Sequence, residues 1–557
     1  MNRLLRLAPL ALAILTATAQ VKAQVPNIPG IPPSVQQAAD SIDSEKIRAH
    51  VKFLADDLLE GRGPGKRGAE IAAKYIASQF AINGLKPAGD NGTYFQKVPL
   101  YAVHTIEDQT TFSLDPNSGA PISLKYGDDI VAKDTTGGTS ADIDAPIVFV
   151  GYGIDAPEYN WNDYAGLDLK GKVLLVIVNE PPSTDPKFFK AEALTYYGRW
   201  TYKYEQAAHL GAIGVLIIHR TDLASYPWSV VQNSQAIEKS YLQGDPAAKL
   251  KAAAWIQHPV ADKLLASIHM TADQAIDAAG KRGFKPIDLP VRLKAHIVSK
   301  VRRYESDNVI AEVPGTESTG HDQAVLYSAH YDHLGIDPDA KGDGIYNGAA
   351  DNGTGCGILL ELARAWTEVK PPHSIYFAAV TAEEQGLLGS QYLGMHPPVP
   401  ASQISLDLNY DMILPIGIPT SIGAAGSERT SFYPVVESTA KAFGFAIQPD
   451  QQPMAGHYYR SDHFSFARVG IPAFSIEQGT LFEGQTPEWS KAQFEDYVAH
   501  HYHQPSDEYH DSMDFRGNAK LARFGFILGW EASSLPATVS WQPGDEFEAA
   551  RKSSGSN

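Results

Sequence analysis

The stretch "AVLYSAHYDHLG", residues 324–335, joins an apolar run to a cluster of polar residues: His330, Asp332 and His333. Around it, strand-like apolar segments alternate with segments of helical periodicity. In chain order these are "NVIAEV", "AVLYSAH", "GCGILLELARAW", "SIYFAAV", "LLGSQYLG", "SLDLNYDM" and "PAFSIE". This alternation predicts an α/β fold, with a mixed, largely parallel sheet flanked by helices.

The loops that follow these predicted strands carry residues that bind metals. In open α/β sheets, sites form beyond the carboxyl ends of the strands. The candidate ligands are His330, Asp351, Glu384, Asp411 and His503. Imidazole and carboxylate together suit zinc, and a carboxylate can bridge two ions. Five such residues supply two ligands for each of two metals and one bridge. The pattern therefore predicts a two-metal site that activates water.

Two carboxylates beside these ligands are expected to have other tasks. Glu383 and Glu384 are adjacent, and neighbouring side chains of an extended segment point apart. One of them can then bind metal while the other acts as a general base toward the water. Asp332 can accept the second imidazole N–H of His330 and so fix its tautomer. His333 is expected to be structural.

Purely structural roles and rival motifs fit these residues less well. A single strand-end His or Asp is commonly a cap or a solvated residue, but five of them on one predicted sheet edge are a rare coincidence. The segment "DPDAKGDG", residues 337–344, resembles a calcium loop, yet Lys341 occupies a ligand position and no helix precedes it. The sequence contains neither Gly-x-Ser-x-Gly nor His-Glu-x-x-His, which argues against a serine hydrolase and against that class of zinc protease.

Composition excludes some classes of partner. The chain has 557 residues, too many for one compact core, so two or more domains are expected. A formal net charge of −18 argues against binding to nucleic acid or to an anionic membrane surface.

The single cysteine, Cys356, excludes an intramolecular disulfide framework and is expected to be a small packed residue.

Residues 1–23, "MNRLLRLAPLALAILTATAQVKA", predict a secretory signal peptide. Arg3 and Arg6 precede an apolar stretch, and small residues follow it. The apolar run is shorter than the roughly 20 residues that a membrane-spanning helix needs, so no membrane insertion is expected after cleavage. An exported protein without disulfides is typical of the bacterial periplasm or the medium.

Five ordered motifs resemble the metal-binding motifs of metallopeptidase family 28: "SAHYDHLG", "GAADNGTG", "TAEEQGLLGS", "NYDM" and "HQPSDEY". These relatives are di-zinc exopeptidases that include bacterial aminopeptidases. The segments "LADDLLEGRGPGKRGAEIAAKYIASQF" and "GLKPAGDNGTYFQ" resemble the family's N-terminal helices. Residues 129–290 resemble an inserted, small, β-rich protease-associated (PA) domain.

This resemblance implies a domain order. After the signal peptide come a Pro-rich linker at 24–40, a first peptidase part at 41–128 and the PA domain at 129–290. The catalytic part at 291–540 and a polar tail at 541–557 complete the chain.

The resemblance also implies a zinc exopeptidase fold with two zinc ions per chain. His330 and Asp411 would bind one ion, Glu384 and His503 the other, and Asp351 would bridge them. Glu383 would be the general base, and Asp332 would orient His330. His503 is chosen over His500 and His501 because Pro505 and Asp507 match the family's spacing. The segment "YYRSDHFSF" resembles a stretch that lines the family's substrate pocket, so Tyr459, Asp462 and His463 are expected to contact substrate.

These expectations describe an exported, periplasmic or secreted enzyme that hydrolyses the N-terminal bond of peptides with metal-activated water. Peptide substrates are its only predicted partners. Three alternatives stay open. A carboxypeptidase would need an arginine such as Arg460 for the substrate carboxylate. A glutaminyl-cyclase-like enzyme would usually bind a single zinc, and a non-catalytic peptide-binding module would typically have lost metal ligands.

Overall fold

The computed structural model describes residues 25–554, except 186, 192, 225, 318–322 and 451. The predicted signal peptide, residues 1–23, lies outside this range. The described α-helices are α1 (Pro33–Asp40), α2 (Ser44–Leu54), α3 (Arg67–Ile82), α4 (Trp200–His209), α5 (Thr221–Ala224), α6 (Trp228–Ala236), α7 (His258–Leu265), α8 (Ala272–Ala279), α9 (Thr354–Trp366), α10 (Leu388–Met395), α11 (Tyr433–Ala442), α12 (His463–Arg468), α13 (Pro487–His500), α14 (Arg516–Ser533) and α15 (Glu548–Ser554).

The described strands are β1 (Lys86–Pro87), β2 (Phe95–Thr105), β3 (Thr111–Pro116), β4 (Ile122–Leu124), β5 (Ile130–Lys133), β6 (Ser140–Phe149), β7 (Asp155–Ala156), β8 (Trp161–Asn162), β9 (Val173–Ile177), β10 (Gly214–His219), β11 (Lys239–Leu242), β12 (Ala252–Gln257), β13 (Ile287–Val313), β14 (Ala324–His330), β15 (Gly335–Ile336), β16 (Ile345–Tyr346), β17 (Ile375–Val380), β18 (Ile404–Asn409), β19 (Ser421–Gly423), β20 (Ala446–Ile447), β21 (Ala473–Ser475) and β22 (Glu477–Gln478).

The sheet that carries the predicted ligands runs in the order β2, β13, β17, β14, β18, β21. Strands β17, β14, β18 and β21 are parallel, and β13 joins them antiparallel. Every residue of β14 is buried. Val325 and Tyr327 pack on the face covered by α9 and α14, whereas Leu326 packs on the opposite face with α10 and α12. Helices on both faces of a mixed, largely parallel sheet confirm the predicted fold class.

A second sheet shares the long strand β13. Its other strands are β6, β9, β10, β12 and β5, with β3 and β4 beside the amino-terminal half of β13. Helices α7 and α8 cover one face and α4 and α6 the other. One strand of the same stretch of chain, β11, instead pairs antiparallel with β2 in the first sheet.

The two sheets do not divide at residues 129 and 290, the predicted domain boundaries. Strands β3 and β4 precede residue 129 but belong to the second sheet, and β13 continues through residue 290 without a break. Composition along the chain cannot locate these boundaries because sheet membership is decided by pairing between distant segments.

Two segments predicted to be loosely packed are ordered in the structure. Residues 33–40, in the predicted linker, form α1, and Val35 and Ala39 are buried. Proline is compatible with the first turn of a helix, so a Pro-rich sequence does not exclude a helix that begins there. The predicted polar tail also packs, because Trp541 and Phe547 are buried against Phe464.

Among the described residues, no helix has both the length and the apolar character needed to cross a membrane.

Candidate metal and active site

The predicted ligands meet at one edge of the first sheet. His330 ends β14, Glu384 follows β17, and Asp411 follows β18. These three strands are parallel, so their carboxyl ends lie side by side. Asp351 lies in the π-helical turn before α9, and His503 follows α13.

Two histidines face the carboxylate of Asp351. The Nε2 atom of His330 is 3.3 Å from Oδ1 of Asp351, and Nε2 of His503 is 3.3 Å from Oδ2 of the same residue. On the outer sides, His330 Nε2 is 3.1 Å from Asp411 Oδ1, and His503 Nε2 is 3.0 Å from Glu384 Oε2. Asp351 thus presents one oxygen to each of two symmetric groups of donors.

These donors fit divalent metals. Donor atoms of His330, Asp351 and Asp411 lie within 4.8 Å of one another, and so do donor atoms of His333, Asp351 and Glu384. Mixed imidazole and carboxylate ligands are those that zinc binds in catalytic sites. The shared carboxylate of Asp351 is the feature that a pair of neighbouring metals needs.

Burial and mutual contact perturb the protonation of these groups. Burial raises the pKa of Glu383 well above its ordinary value, and the charges of Glu384 and Asp411 act in the same direction. Burial would also raise the pKa of Asp351, but hydrogen bonds with His330 and His503 lower it overall. The same contacts with Asp351 and Glu384 outweigh burial and raise the pKa of His503 to about 10. The carboxylates of Asp351 and Glu384 therefore favour a positive charge beside them.

The predicted contact between Asp332 and His330 is wrong in its details. The imidazole Nδ1 of His330 lies 3.2 Å from the main-chain carbonyl oxygen of Asp332, whereas the carboxylate is 3.8 Å away. The latter distance is too long for a hydrogen bond. The Asp332 carboxylate instead accepts a hydrogen bond from the N–H of Glu383, at 3.1 Å. Asp332 therefore connects the loop that carries His330 to the loop that carries Glu383.

His333 lies closer to the ligands than the sequence indicated. Its side chain is fully buried, and Nδ1 is 2.6 Å from Oε1 of Glu384. The second carboxylate oxygen of Glu384 faces His503. His333 therefore holds the carboxylate of Glu384 in place. Its position directly after Asp332 was the only signal in the sequence.

Residues 308–523 match the model of peptidase family M28. This part of the chain belongs to peptidase family M28. The match covers all five predicted metal ligands, together with Glu383 and Asp332.

Curated relatives match shorter parts of the chain. A probable zinc metalloprotease of Pyrenophora tritici-repentis is 36% identical over 106 residues, which are 19% of this chain and 24% of that protein. Leucine aminopeptidase 2 of Trichophyton equinum is 30% identical over 217 residues, 36% of this chain and 39% of that protein. The chain thus spans well under two thirds of the length of these relatives. A solved structure, the aminopeptidase from Aneurinibacillus sp. strain AM-1, aligns with 92% of this chain and 98% of its own at 19% identity and a TM-score of 0.46.

In this M28 domain, hydrogen bonds from neighbouring groups hold two of the candidate ligands. The carboxylate of Asp507 accepts hydrogen bonds from the N–H groups of Ala350 and Asp351, at 3.0 and 3.1 Å. The hydroxyl of Ser461 donates to Oδ2 of Asp411 at 2.6 Å, which leaves Oδ1 facing His330. Such contacts fix ligand orientation and usually matter for metal affinity.

A buried arginine from the amino-terminal part of the chain ties the two ligand loops together. Arg62 is 1% exposed and donates to four main-chain carbonyls, those of Leu54, Tyr331, Asn347 and Gly348. Tyr331 lies between His330 and Asp332, while Asn347 and Gly348 precede Asp351. One side chain therefore holds both loops in register.

We expect Arg62→Ala to lower the free energy of unfolding by at least about 3 kcal/mol, because several buried carbonyls lose their donor at about 1–3 kcal/mol each. The midpoint of guanidinium unfolding measures this change. The control is Arg67→Ala, which removes an arginine of the same segment that is 70% exposed. An exposed substitution of that kind should change stability by less than about 0.5 kcal/mol. Equal midpoints for the two variants would contradict the role of Arg62.

A cavity of about 330 Å³ opens beside the site, between the M28 part and the segment that builds the second sheet. Glu383, Glu384 and Tyr502 line it near the ligands. Of the predicted substrate contacts, Tyr459 lines this cavity, with its hydroxyl hydrogen-bonded to Glu546.

The expectation that Asp462 and His463 contact substrate stays a prediction. Both side chains are buried, and neither is among the described residues that line the cavity. The ring of His463 packs edge-on against Tyr458, and burial lowers its pKa to about 3.

Cys356 is a packed residue, as predicted. It is 1% exposed, and its thiol donates to the main-chain carbonyl of His330. Burial raises the pKa of this thiol to about 12, which makes it a poor nucleophile.

Proposed function

We propose that the chain is an exported di-zinc aminopeptidase that removes the N-terminal residue of peptides. The observation that carries this proposal is the carboxylate of Asp351, which turns one oxygen toward His330 and the other toward His503. Asp411 and Glu384 complete the two groups. Two relatives, a probable zinc metalloprotease and a leucine aminopeptidase, support the same activity.

The proposed ligand sets are His330 with Asp411, and His503 with Glu384, with Asp351 shared between them. Bound zinc would activate a water molecule and polarise the carbonyl of the scissile bond. Hydrogen bonds from Ser461 and Asp507 would keep Asp411 and the Asp351 loop in place while substrate binds.

Glu383 is the proposed general base. Its Oε2 atom is 4.0 Å from Nε2 of His330, and the side chain lines the cavity. Its carboxylate would take a proton from the attacking water and return it to the nitrogen of the departing amine. The hydrogen bond between the Glu383 N–H and Asp332 positions this backbone beside the ligands.

The cavity supports cleavage at a chain end. Residues of both the M28 part and the second-sheet segment form its wall. A volume of about 330 Å³ is near the lower limit of about 300–1,000 Å³ that is usual for small-ligand sites. Such a space suits a few residues of a peptide rather than a folded protein.

The proposed PA domain is residues 129–290, which contribute β5, β6, β9, β10 and β12 to the second sheet. Its residues Arg199, Trp200 and Lys239 line the cavity. Export is proposed from the signal-peptide pattern of residues 1–23.

The test uses the full chain without its predicted signal peptide, loaded with zinc. We expect hydrolysis of Leu-Ala-Ala and no hydrolysis of acetyl-Leu-Ala-Ala. Activity should disappear after treatment with EDTA and return when zinc is restored. Product analysis by mass spectrometry identifies the residue released.

Release of C-terminal alanine from the acetylated peptide would replace this proposal with a carboxypeptidase. Hydrolysis that persists after complete metal removal would overturn it altogether. Zinc binding without hydrolysis of either peptide would favour a binding module.

A further inference from the structure

Four basic residues line the cavity next to the candidate active site. Arg468 is paired with Glu205, and the other three are Arg199, Lys239 and Arg460. Arg199 and Lys239 come from the second-sheet segment, and Arg460 comes from the M28 part. They meet because β11, which begins at Lys239, pairs with β2 of the first sheet. Four carboxylates line the same cavity, those of Glu205, Asp245, Glu383 and Glu384, so the question is which charges are already paired.

Among the described residues, none of these three cations has an ion pair. No carboxylate lies within 4.0 Å of their charged nitrogens, and the two guanidinium groups have no hydrogen-bond partner in the described protein. Lys239 Nζ lies 4.3 Å from the centroid of the Trp200 ring, a cation–π contact that leaves its N–H donors available. By contrast, Arg468 in the same wall pairs with Glu205 at 2.8 Å.

The carboxylates of the wall do not neutralise the three cations. Glu205 is engaged by Arg468 and by the hydroxyl of Tyr196. Asp245 accepts hydrogen bonds from Gln391 and from the N–H of Ala247. The remaining acidic residues that line the cavity, Glu383 and Glu384, belong to the proposed metal site.

The three cations also repel one another. Burial, followed by the charge of Arg460, lowers the pKa of Arg199 to about 10. Burial, followed by the charge of Arg199, lowers the pKa of Lys239 to about 8. Like charges that are held together in a partly desolvated wall cost free energy, and a bound anion would remove that cost.

We propose that Arg199, Lys239 and Arg460 form a subsite that binds a carboxylate of the substrate peptide. This proposal rests on the proposed peptidase function, because it places the subsite in the same cavity as Glu383. Guanidinium groups match carboxylates in shape and form charge-assisted hydrogen bonds with them. The carboxylate comes either from the C-terminus of a short peptide or from an acidic side chain.

The substrate preference that follows is measured with two matched pairs of peptides. The first pair, Leu-Ala-Ala and Leu-Ala-Ala-amide, differs in the C-terminal carboxylate. The second pair, Leu-Glu-Ala-amide and Leu-Gln-Ala-amide, differs in an acidic side chain. For the zinc-loaded chain we expect kcat/KM to be about 10- to 100-fold higher for the acidic member of one pair, as hydrogen bonds to charged groups imply.

The pair that shows the preference identifies the source of the carboxylate. In Arg199→Gln and Arg460→Gln, the ratio of kcat/KM between the two members should fall toward one. The control Arg303→Gln removes one positive charge from an exposed arginine that is not among the described residues lining the cavity. This control should keep the ratio of the unchanged protein.

A binding measurement separates failure of the subsite from failure of the proposed function. Calorimetric titration of the same peptides into zinc-loaded Glu383→Gln gives their Kd values without turnover. The subsite is supported if the acidic member of a pair binds more tightly and if adding Arg199→Gln weakens that binding. This result would hold even if the unchanged protein hydrolysed no peptide. Equal binding and equal kcat/KM within both pairs would overturn it.

Discussion

Glu383→Gln is expected to lower kcat by about 10²–10⁴-fold while leaving zinc content unchanged. That range is the usual contribution of a positioned general base. The amide keeps the shape of the side chain but cannot accept the proton from water. The measurement combines kcat for Leu-Ala-Ala with zinc content determined by mass spectrometry of the dialysed protein.

Glu384→Gln is the matched comparison at the next residue. Glu384 lies 3.0 Å from His503 and 2.6 Å from His333, whereas Glu383 lies 4.0 Å from His330. The Glu384 variant should therefore lose zinc as well as activity. Because donor atoms of His330, Glu383 and Glu384 also lie within 4.8 Å of one another, exchanged roles are a real alternative. Zinc loss in the Glu383 variant and zinc retention in the Glu384 variant would establish that exchange.

Asp351→Ala is expected to weaken zinc binding by more than about 100-fold. Loss of a group that only hydrogen-bonds to a ligand weakens metal binding by up to about 100-fold. Loss of Asp351 should weaken it more, because both candidate metal positions share this carboxylate. Activity should fall below detection in parallel. Zinc titration with a competing chelator measures the affinity of each position.

The control for this variant is Asp339→Asn, an exposed carboxylate in the loop before β16. It should leave zinc affinity and activity unchanged. If Asp351→Ala still bound two zinc ions per chain, a bridging role for Asp351 would be excluded. If it bound one ion tightly, the residue would serve one position only.

The sequence predicted the first sheet and the five candidate ligands because both depend on local signals. Each of β14, β17 and β18 is a short, largely apolar run. A residue that can bind metal ends β14, and such residues lie within four positions after β17 and β18. Parallel strands then bring these residues to one edge whatever the rest of the chain does. His503 has no such strand before it, and only the resemblance selected it from neighbouring histidines.

Several contacts around the site could not be predicted from local sequence patterns. The main-chain carbonyl of Asp332 contacts His330, although the residue type pointed to the carboxylate. The family resemblance pointed to Asp462 and His463 as substrate contacts, and both side chains are buried at the start of α12. Trp541 and Phe547 stood in a segment expected to be a polar tail, and they pack against α12.

By itself, the sequence determined which groups can bind metal, their order along the chain and the sheet that presents them, because periodicity and strand-end position are properties of neighbouring residues. The tertiary structure decided what surrounds those groups. Arg62 reaches carbonyls about 270 residues away, as in its bond to Tyr331. Lys239 and Arg460 share one cavity because β11 crosses to the first sheet. Packing between distant segments sets these contacts, and their residue types alone do not reveal which partners they meet.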